Sequence, residues 1–300
     1  MYVSVMTTDH ASAESATVDL PQGTIAYRAA GPATSNYPPV LLVHGLLVDG
    51  RLWTSVADRL AADGIRSYTP TLPLGSHKRP MNADADLSPR GVATIVLDFI
   101  RALDLTDVTI VGNDTGGAIC QIVLATDTSR ISAAMLTNCD AFGTFPPMAL
   151  APLFQAARHP GMVRVIAATL RPKPMRHGPL AYGPLARNLD PATTLDWVQP
   201  LGDPAIRRDL AKVAKGVHPR VLLDAANRFA EFHGPVRILW GEGDSMFRLK
   251  LGRQLAEAFP NATLNTVPGG RTFLPLDYPD KVADEITAAT RTVRQPRPAS

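Results

Sequence analysis

A six-residue segment, Gly112–Gly117, has residue types and a spacing that suit nucleophilic chemistry. It reads Gly-Asn-Asp-Thr-Gly-Gly and follows the apolar run Val108–Val111. A strand followed by Gly-x-nucleophile-x-Gly and a helix is the nucleophile elbow, with Asp114 here in the central position. So tight a turn strains its central residue, so small residues are needed two positions before and after it, here Gly112 and Gly116. We predict that the turn holds the Asp114 carboxylate above the sheet, at the positive end of the next helix.

The same segment has alternative interpretations. Glycine-rich turns after strands also bind phosphate, and an aspartate before a helix can simply cap it. The segment lacks the Lys-Ser/Thr pair of a Walker loop and the G-x-G-x-x-G pattern of dinucleotide-binding turns. Two further motifs end predicted strands, namely His44-Gly45 and Gly241-Glu242-Gly243-Asp244. Their presence favours an enzyme over a simple helix cap.

The elements that must position these motifs alternate along the chain. Predicted strands are Thr24–Arg28, Val40–Val43, Ser67–Thr71, Val108–Val111, Ala133–Thr137, Val236–Trp240 and Thr263–Val267. Predicted helices are Leu52–Ala62, Gly91–Leu103, Gly116–Ala125, Leu249–Phe259 and Lys281–Val293. Short continuous apolar strands between helices indicate an α/β fold with a doubly wound, mostly parallel sheet.

One proline-rich stretch interrupts this alternation. Eleven of the 27 prolines fall between Pro146 and Pro204, which predicts short helices joined by tight turns. We therefore predict a helical cap at residues 142–233, inserted into a core formed by residues 1–141 and 234–300.

Composition excludes several other classes of protein. The 300 residues are 45% hydrophobic and 19% charged, which is typical of a globular chain with a large core. The net charge is only +3 and no basic block is interleaved with aromatic residues, so we expect no nucleic-acid partner. No apolar run approaches the ~20 residues of a membrane span, and we expect no membrane association.

The remaining expectations concern location, assembly and cofactors. The first twenty residues lack a secretion-signal pattern, which predicts a cytoplasmic protein, and Cys120 and Cys139 are expected to be reduced core residues. We predict no metal and no cofactor, a small hydrophobic molecule as the binding partner, and a monomer or homodimer.

The three motifs together resemble the α/β-hydrolase superfamily, over nearly the whole chain from about Thr17 to Val293. The resemblance implies His-Gly after the third strand, the elbow after the fifth, a cap after the sixth and an acid after the seventh. An aspartate in the elbow is similar to the haloalkane dehalogenase and epoxide hydrolase branch. In that branch the carboxylate attacks carbon and forms an ester, which water then hydrolyses.

The resemblance also implies roles for individual residues. The backbone N–H groups of Leu46 and Thr115 would form the oxyanion hole. Asp244 would orient a catalytic histidine, with Asp140 as the alternative position for that acid. His44 would support its loop beside the substrate, and His44, Tyr182, Trp197 and Arg271 are expected to line the substrate site.

The chain departs from the family pattern at the catalytic histidine. Arg271 stands where that histidine is expected, and the last histidine of the chain is His233, before the seventh strand. Arginine stays protonated and cannot act as a base, although it could pair with Asp114 or Asp244. Among the other histidines, His77 is the best candidate for a replacement, because its loop starts on the active-site edge.

Other marks of the two relatives are absent as well. Leu46 and Thr115 occupy the places of the asparagine and tryptophan with which dehalogenases hold the halide. Epoxide hydrolases carry His-Gly-x-Pro and two cap tyrosines, whereas this chain has Leu47 after Leu46 and only Tyr182 in the predicted cap.

The sequence therefore predicts a hydrolase with an aspartate nucleophile, acting on a small to medium hydrophobic epoxide, halide or ester-like substrate. One alternative is a non-hydrolytic isomerase, lyase or cyclase in which Asp114 is a general base. Another is a ligand-binding homologue without catalytic activity.

Overall fold

The computed structural model describes residues 14–293 and contains one eight-stranded sheet. The strands are β1 Glu14–Leu20, β2 Gly23–Ala30, β3 Val40–Val43, β4 Ser67–Pro70, β5 Val108–Asp114, β6 Ile131–Cys139, β7 Val236–Gly241 and β8 Ala262–Val267. The core helices are α1 Thr54–Ala62, α2 Pro89–Ala102, α3 Thr115–Thr126, α10 Leu249–Ala258, α11 Leu274–Asp277 and α12 Pro279–Thr292. Between β6 and β7 lie α4 Ala151–Ala157, α5 Pro160–Leu170, α6 Lys173–Arg176, α7 Pro191–Val198, α8 Pro204–Gly216 and α9 Pro219–Ala226.

The sheet is mostly parallel, as the sequence predicted. Its strand order is β1-β2-β4-β3-β5-β6-β7-β8, and only β2 pairs antiparallel with its neighbours β1 and β4. Every predicted core strand and helix is present, with ends that differ by a few residues. β1 was not predicted, because its polar, alternating sequence buries only Val18 and Leu20.

Strand β5 shows why the strands are continuous apolar runs. Ile110 packs into a cluster with residues of α2 and α3 on one face of the sheet. Its neighbour Val111 packs into a second cluster with residues of α1 and α12 on the other face. Helices therefore cover both faces, and successive residues of the strand are buried in opposite directions.

The helices between β6 and β7 have a small apolar cluster of their own, which includes Val163, Leu201, Ile206 and Leu210. The segment 142–233 is called the insertion below, and its boundaries as a domain stay a prediction. Cys120 and Cys139 are buried and unbridged, as predicted. In residues 14–293, no helix has both the length and the apolar character to cross a membrane.

Candidate active site

The turn between β5 and α3 holds Asp114 in a strained backbone conformation, with φ of +56° and ψ of −133°. Glycines make this turn possible. A Cβ atom on Gly112 would lie 2.6 Å from the Cα of Gly117, and one on Gly116 would lie 2.3 Å from the carbonyl oxygen of Val43. The absence of side chains therefore lets α3 start directly against β3, with Asp114 at the bend.

The carboxylate of Asp114 meets backbone amides on both sides. The Leu46 nitrogen donates to Oδ2 at 3.2 Å, and the N–H of Thr115 also bonds to the carboxylate. A Cβ on Gly45 would lie 2.2 Å from that same Oδ2, so the glycine provides the space that the oxygen occupies. The two amides that the family resemblance implied as an oxyanion hole thus both interact with the carboxylate of Asp114, and the Leu46 nitrogen does so at Oδ2.

The surroundings of Asp114 favour its protonated form more than water does. Burial by the protein raises the pKa of its carboxyl to about 7, with a further contribution from the negative charge of Asp244. The hydrogen bonds from Leu46 and Thr115 oppose this rise. Asp114 itself keeps some exposure to solvent, so water also stabilises its ionised form.

Asp140 lies just after β6 and is almost completely buried, with 2% of its surface exposed. Its Oδ2 accepts a hydrogen bond from the Thr115 hydroxyl at 3.3 Å, and its Oδ1 has no partner within residues 14–293. Burial, followed by the nearby charge of Asp114, raises the pKa of Asp140 well above its ordinary value. The surroundings of Asp140 therefore favour its protonated form strongly.

Asp244, after β7, has every acceptor position occupied. Its Oδ1 accepts from the backbone nitrogens of Met246 and Phe247, at 2.8 and 3.0 Å. Its Oδ2 accepts from the Asn138 amide and the Thr272 hydroxyl, both at 2.8 Å. Burial nevertheless raises the pKa of Asp244. The residue that bonds to this carboxylate from the loop after β8 is thus Thr272, the neighbour of Arg271, which stands where the family resemblance implies the catalytic histidine.

The expectation that Arg271 could pair with Asp114 or Asp244 is wrong. Its guanidinium donates to the backbone carbonyls of Gly183 and Ala186 in the insertion, at 3.1 and 3.3 Å. It forms no ion pair with either carboxylate among the described residues. Arg271 instead fastens the insertion to the loop after β8.

His44 was expected to support its loop and also to line the substrate site. Its Nε2 accepts from the Leu72 nitrogen and its Nδ1 donates to the Gly45 carbonyl, each at 2.8 Å. The ring has no exposed surface, and burial lowers its pKa to about 4. His44 is therefore a neutral support of the loop, with neither ring nitrogen free for a ligand.

His77 does not replace the missing histidine. Its Nε2 lies 3.2 Å from Oδ2 of Asp209 on α8, and its Nδ1 accepts from the Gly75 nitrogen at 3.4 Å. Asp209 also accepts from the Met81 nitrogen, at 2.8 Å. The His77–Asp209 pair therefore connects the loop after β4 to the insertion.

Tyr182 and Trp197 were expected to line the substrate site, and they are instead packed between the insertion and the core. The Trp197 indole donates to Oδ1 of Asp49 at 2.9 Å, and the Tyr182 hydroxyl donates to the carbonyl of Leu47. Their rings meet edge to face, with centroids 5.5 Å apart. Both are at most 4% exposed. In this conformation they offer little surface to a ligand.

Two cavities are lined by residues described above, such as His77 and Arg271, and Asp114 lines neither of them. One of about 590 Å³ is bordered by β1, β2 and β4 and by loops that contain Asp49 and His77. The other, of about 370 Å³, is bordered by Arg271, His177 and Gly243. Leu46, whose nitrogen bonds to Asp114, and Leu47 pack against the apolar cluster of the insertion.

The sequence analysis missed two residues at the site. Thr272 is not part of any of the three motifs, since the family pattern places its histidine one residue earlier, at position 271. Gly45 was noted only as part of His-Gly, although a glycine next to a predicted oxyanion loop could have indicated a close approach of another group. No group of three or more potential metal ligands is present in residues 14–293.

Comparison with known proteins fits this geometry. A family model described as alpha/beta hydrolase fold matches residues 38–278. The chain therefore belongs to the α/β-hydrolase family, as the order of its motifs predicted.

Particular relatives agree with this assignment. Haloalkane dehalogenase 2 from Mycobacterium tuberculosis is 25% identical over 266 residues, covering 83% of this chain and 86% of the relative. The structure is similar to haloalkane dehalogenase DbeA from Bradyrhizobium elkani, with a TM-score of 0.75, 17% identity, and coverage of 94% of this chain and 99% of the other. An alpha/beta hydrolase fold protein from Burkholderia ambifaria gives a TM-score of 0.74 and 22% identity, covering 91% and 96% of the two chains. The structural likenesses support the fold.

Proposed function

We propose that this protein is a hydrolase in which Asp114 is a covalent nucleophile toward a small to medium hydrophobic substrate. The observation that carries the proposal is the hydrogen bond from the Leu46 nitrogen to Oδ2 of Asp114, at 3.2 Å. It fixes one oxygen of the carboxylate and leaves Oδ1 as the attacking atom. The dehalogenase relative, which uses a halide substrate according to its name, supports a reaction at an electrophilic carbon.

The first step forms an ester on Asp114. Oδ1 attacks the substrate carbon, and the leaving group departs with the electron pair of its bond to that carbon. Oδ2 becomes the carbonyl oxygen of the ester and stays beside the amides of Leu46 and Thr115. These amides then stabilise the negative oxygen that forms when water adds to the ester carbon.

The insertion acts in this proposal as a cap. Asp114 is partly exposed, and Leu46 and Leu47 beside it pack against the apolar cluster of the insertion. The substrate therefore enters when the insertion shifts relative to the loop of Leu46 and Leu47. When the shift reverses, the insertion excludes bulk water from the site.

A second candidate function is proton abstraction without hydrolysis. It is favoured by the raised pKa of Asp114, about 7, which suits a general base, and by the hydrogen bonds of His44 and His77, which occupy both histidines elsewhere. Such an enzyme would be an isomerase, lyase or cyclase and would form no ester.

A single turnover in heavy-oxygen water separates the two functions. With nucleophilic hydrolysis, the first turnover places solvent oxygen in the Asp114 side chain, and labelled product follows only from the second turnover. Styrene oxide and phenethyl bromide serve as probes, and mass spectrometry of the peptide that contains Asp114 gives the result. The Asp114→Asn variant is the control and should incorporate no label.

Turnover without label in Asp114 would contradict the nucleophilic proposal. If Asp114 only abstracts a proton, the wild type should exchange a hydrogen of its bound ligand for deuterium, and the Asp114→Asn variant should not.

A further inference from the structure

Asp140 is a buried acid that has no role in the reaction proposed above. It is 2% exposed, its backbone carbonyl is held by the Gln121 amide at 2.7 Å, and its Oδ1 has no partner within residues 14–293. An ionised carboxylate in such surroundings would lose its hydration with little compensation. The position therefore holds a carboxylic acid that carries a proton.

The hydroxyl of Thr115 connects this acid to the turn of the nucleophile. Thr115 directly follows Asp114, and its Oγ1 lies 3.3 Å from Oδ2 of Asp140. The titratable groups on the elements packed around Asp140 are Asp114 on β5, Cys120 on α3, Cys139 on β6 and Asp244 after β7. Among the described residues, no lysine or arginine bonds to Asp140. The negative charge of its carboxylate can therefore be neutralised only by a proton.

We propose that Asp140 donates and recovers the proton of a hydrolytic cycle without histidine, through the hydroxyl of Thr115, and that the substrate is an epoxide. This inference rests on the function proposed above, because it requires the ester on Asp114. An epoxide oxygen needs a proton when its bond to carbon breaks, whereas a halide ion leaves without one. A protonated acid next to the nucleophile therefore suits the epoxide.

The first step transfers the proton to the substrate. Oδ1 of Asp114 forms a bond to one epoxide carbon, and the electron pair of the broken C–O bond goes to the epoxide oxygen. The Thr115 hydroxyl, which donates to Oδ2 of Asp140 before the reaction, turns its hydrogen toward the epoxide oxygen. It gives that proton to the epoxide oxygen while its own oxygen takes the proton of Asp140. The products are a hydroxyalkyl ester on Asp114 and an ionised Asp140.

The second step returns the proton. Water adds to the ester carbon of Asp114, and one water proton moves through Thr115 to the Asp140 carboxylate. The tetrahedral intermediate releases the alcohol oxygen, which takes the second water proton. A diol leaves, Asp114 is again ionised and Asp140 is again protonated, so all atoms and charges balance.

The electrostatics of the pair support this sequence of events. The negative charge of Asp114 contributes to the raised pKa of Asp140. Conversion of Asp114 to a neutral ester removes this repulsion, which lowers the pKa of Asp140 when it must ionise. The same exchange of acid and base roles by one carboxyl group operates in retaining glycoside hydrolysis.

The test compares the two probes in the wild type and in the Asp140→Asn and Thr115→Val variants. Styrene oxide and phenethyl bromide carry the same phenyl group but differ in their need for a proton. With styrene oxide, both variants should form the Asp114 ester about a hundredfold more slowly than the wild type. With phenethyl bromide, both should form it at nearly the wild-type rate. The ester should then accumulate in the wild type and in both variants alike, because a halide takes no proton and leaves no ionised Asp140 to accept the proton of water. Asp224→Asn, an exposed acid on α9, is the matched control and should change neither rate.

The pH profile provides a second measurement that a merely structural role would not change. Ester formation from styrene oxide should fall at alkaline pH, as Asp140 loses its proton, while ester formation from phenethyl bromide should not. Equal slowing with both probes, or no slowing with either, would overturn the role of Asp140 and leave the nucleophile proposal intact. Absence of an Asp114 ester in the wild type with both probes would overturn both proposals.

Discussion

The backbone nitrogen of Leu46 lies 3.2 Å from Oδ2 of Asp114, although the two residues are 68 positions apart in the chain. Their strands are parallel neighbours in the sheet, with Val43 of β3 opposite Gly112 of β5. The register of two buried strands therefore sets the distance between donor and carboxylate. A site fixed in this way is already ordered before a substrate binds.

Substitution of Gly45 by alanine should disable the site. The new Cβ would lie 2.2 Å from Oδ2 of Asp114, so the carboxylate must move away from the Leu46 nitrogen. We expect a loss of ester formation of about a hundredfold, since small displacements of reacting groups have effects of this size. Gly161→Ala, at the second residue of α5, is the control, because its Cβ meets no atom within 4 Å and should leave ester formation unchanged. Full activity in Gly45→Ala would contradict the geometry.

The Asp114→Asn variant should be inactive yet more stable than the wild type at alkaline pH. Burial raises the pKa of Asp114 to about 7 in the folded protein, whereas an unfolded aspartate has a pKa of about 4. The folded state thus binds more protons, and its stability decreases as the pH rises through that interval. We expect a gain in the free energy of unfolding of about 1–3 kcal/mol at pH ~8, and almost none at pH ~4. Urea unfolding at the two pH values measures this, and equal stability at both would refute it.

Removal of the Thr272 hydroxyl should weaken the loop after β8. Thr272→Val takes one donor from the buried Asp244, whose Oδ2 keeps only the Asn138 amide. We expect a decrease of about 1–2 kcal/mol in the free energy of unfolding. Because the lost bond favours ionised Asp244, the pKa of Asp244 should rise further, and the decrease should grow as the pH rises above the ordinary carboxyl range. Thr263→Val, on the exposed face of β8, is the control and should leave the stability nearly unchanged.

The Tyr182→Phe variant should affect stability more than substrate binding. The hydroxyl of Tyr182 is buried and donates to the Leu47 carbonyl, so its removal should cost about 1 kcal/mol of unfolding free energy. We expect KM to change by less than about twofold, because the ring and its packing against Trp197 are kept. A large change in KM at constant stability would instead place Tyr182 in the substrate site, as its sequence position first suggested.

The sequence predicted what is encoded locally. The Gly-x-Asp-x-Gly turn and the His-Gly loop each lie within a few residues of a strand end, and continuous apolar runs identify those strands. The fold class followed from the alternation of these strands with helices. β1 escaped prediction because it lies at the edge of the sheet, where only Val18 and Leu20 are buried.

Contacts between distant segments were not predictable in the same way. Trp197 donates to Asp49 across 148 positions of the chain, and Arg271 bonds to carbonyls of the insertion. Such partners depend on how the insertion packs on the core, which no short pattern specifies. Tyr182 and Trp197 were therefore expected to line the substrate site, whereas in the structure they pack between the insertion and the core.

The close approach of Gly45 to Asp114 has an evolutionary consequence. An acidic side chain at position 114 fits only while position 45 lacks a Cβ atom, because that atom and Oδ2 would occupy the same volume. A lineage that gained any larger residue at 45 would lose its working carboxylate in the same step. The two positions should thus be inherited as a pair, and descendants that abandon the chemistry should be free to change either one.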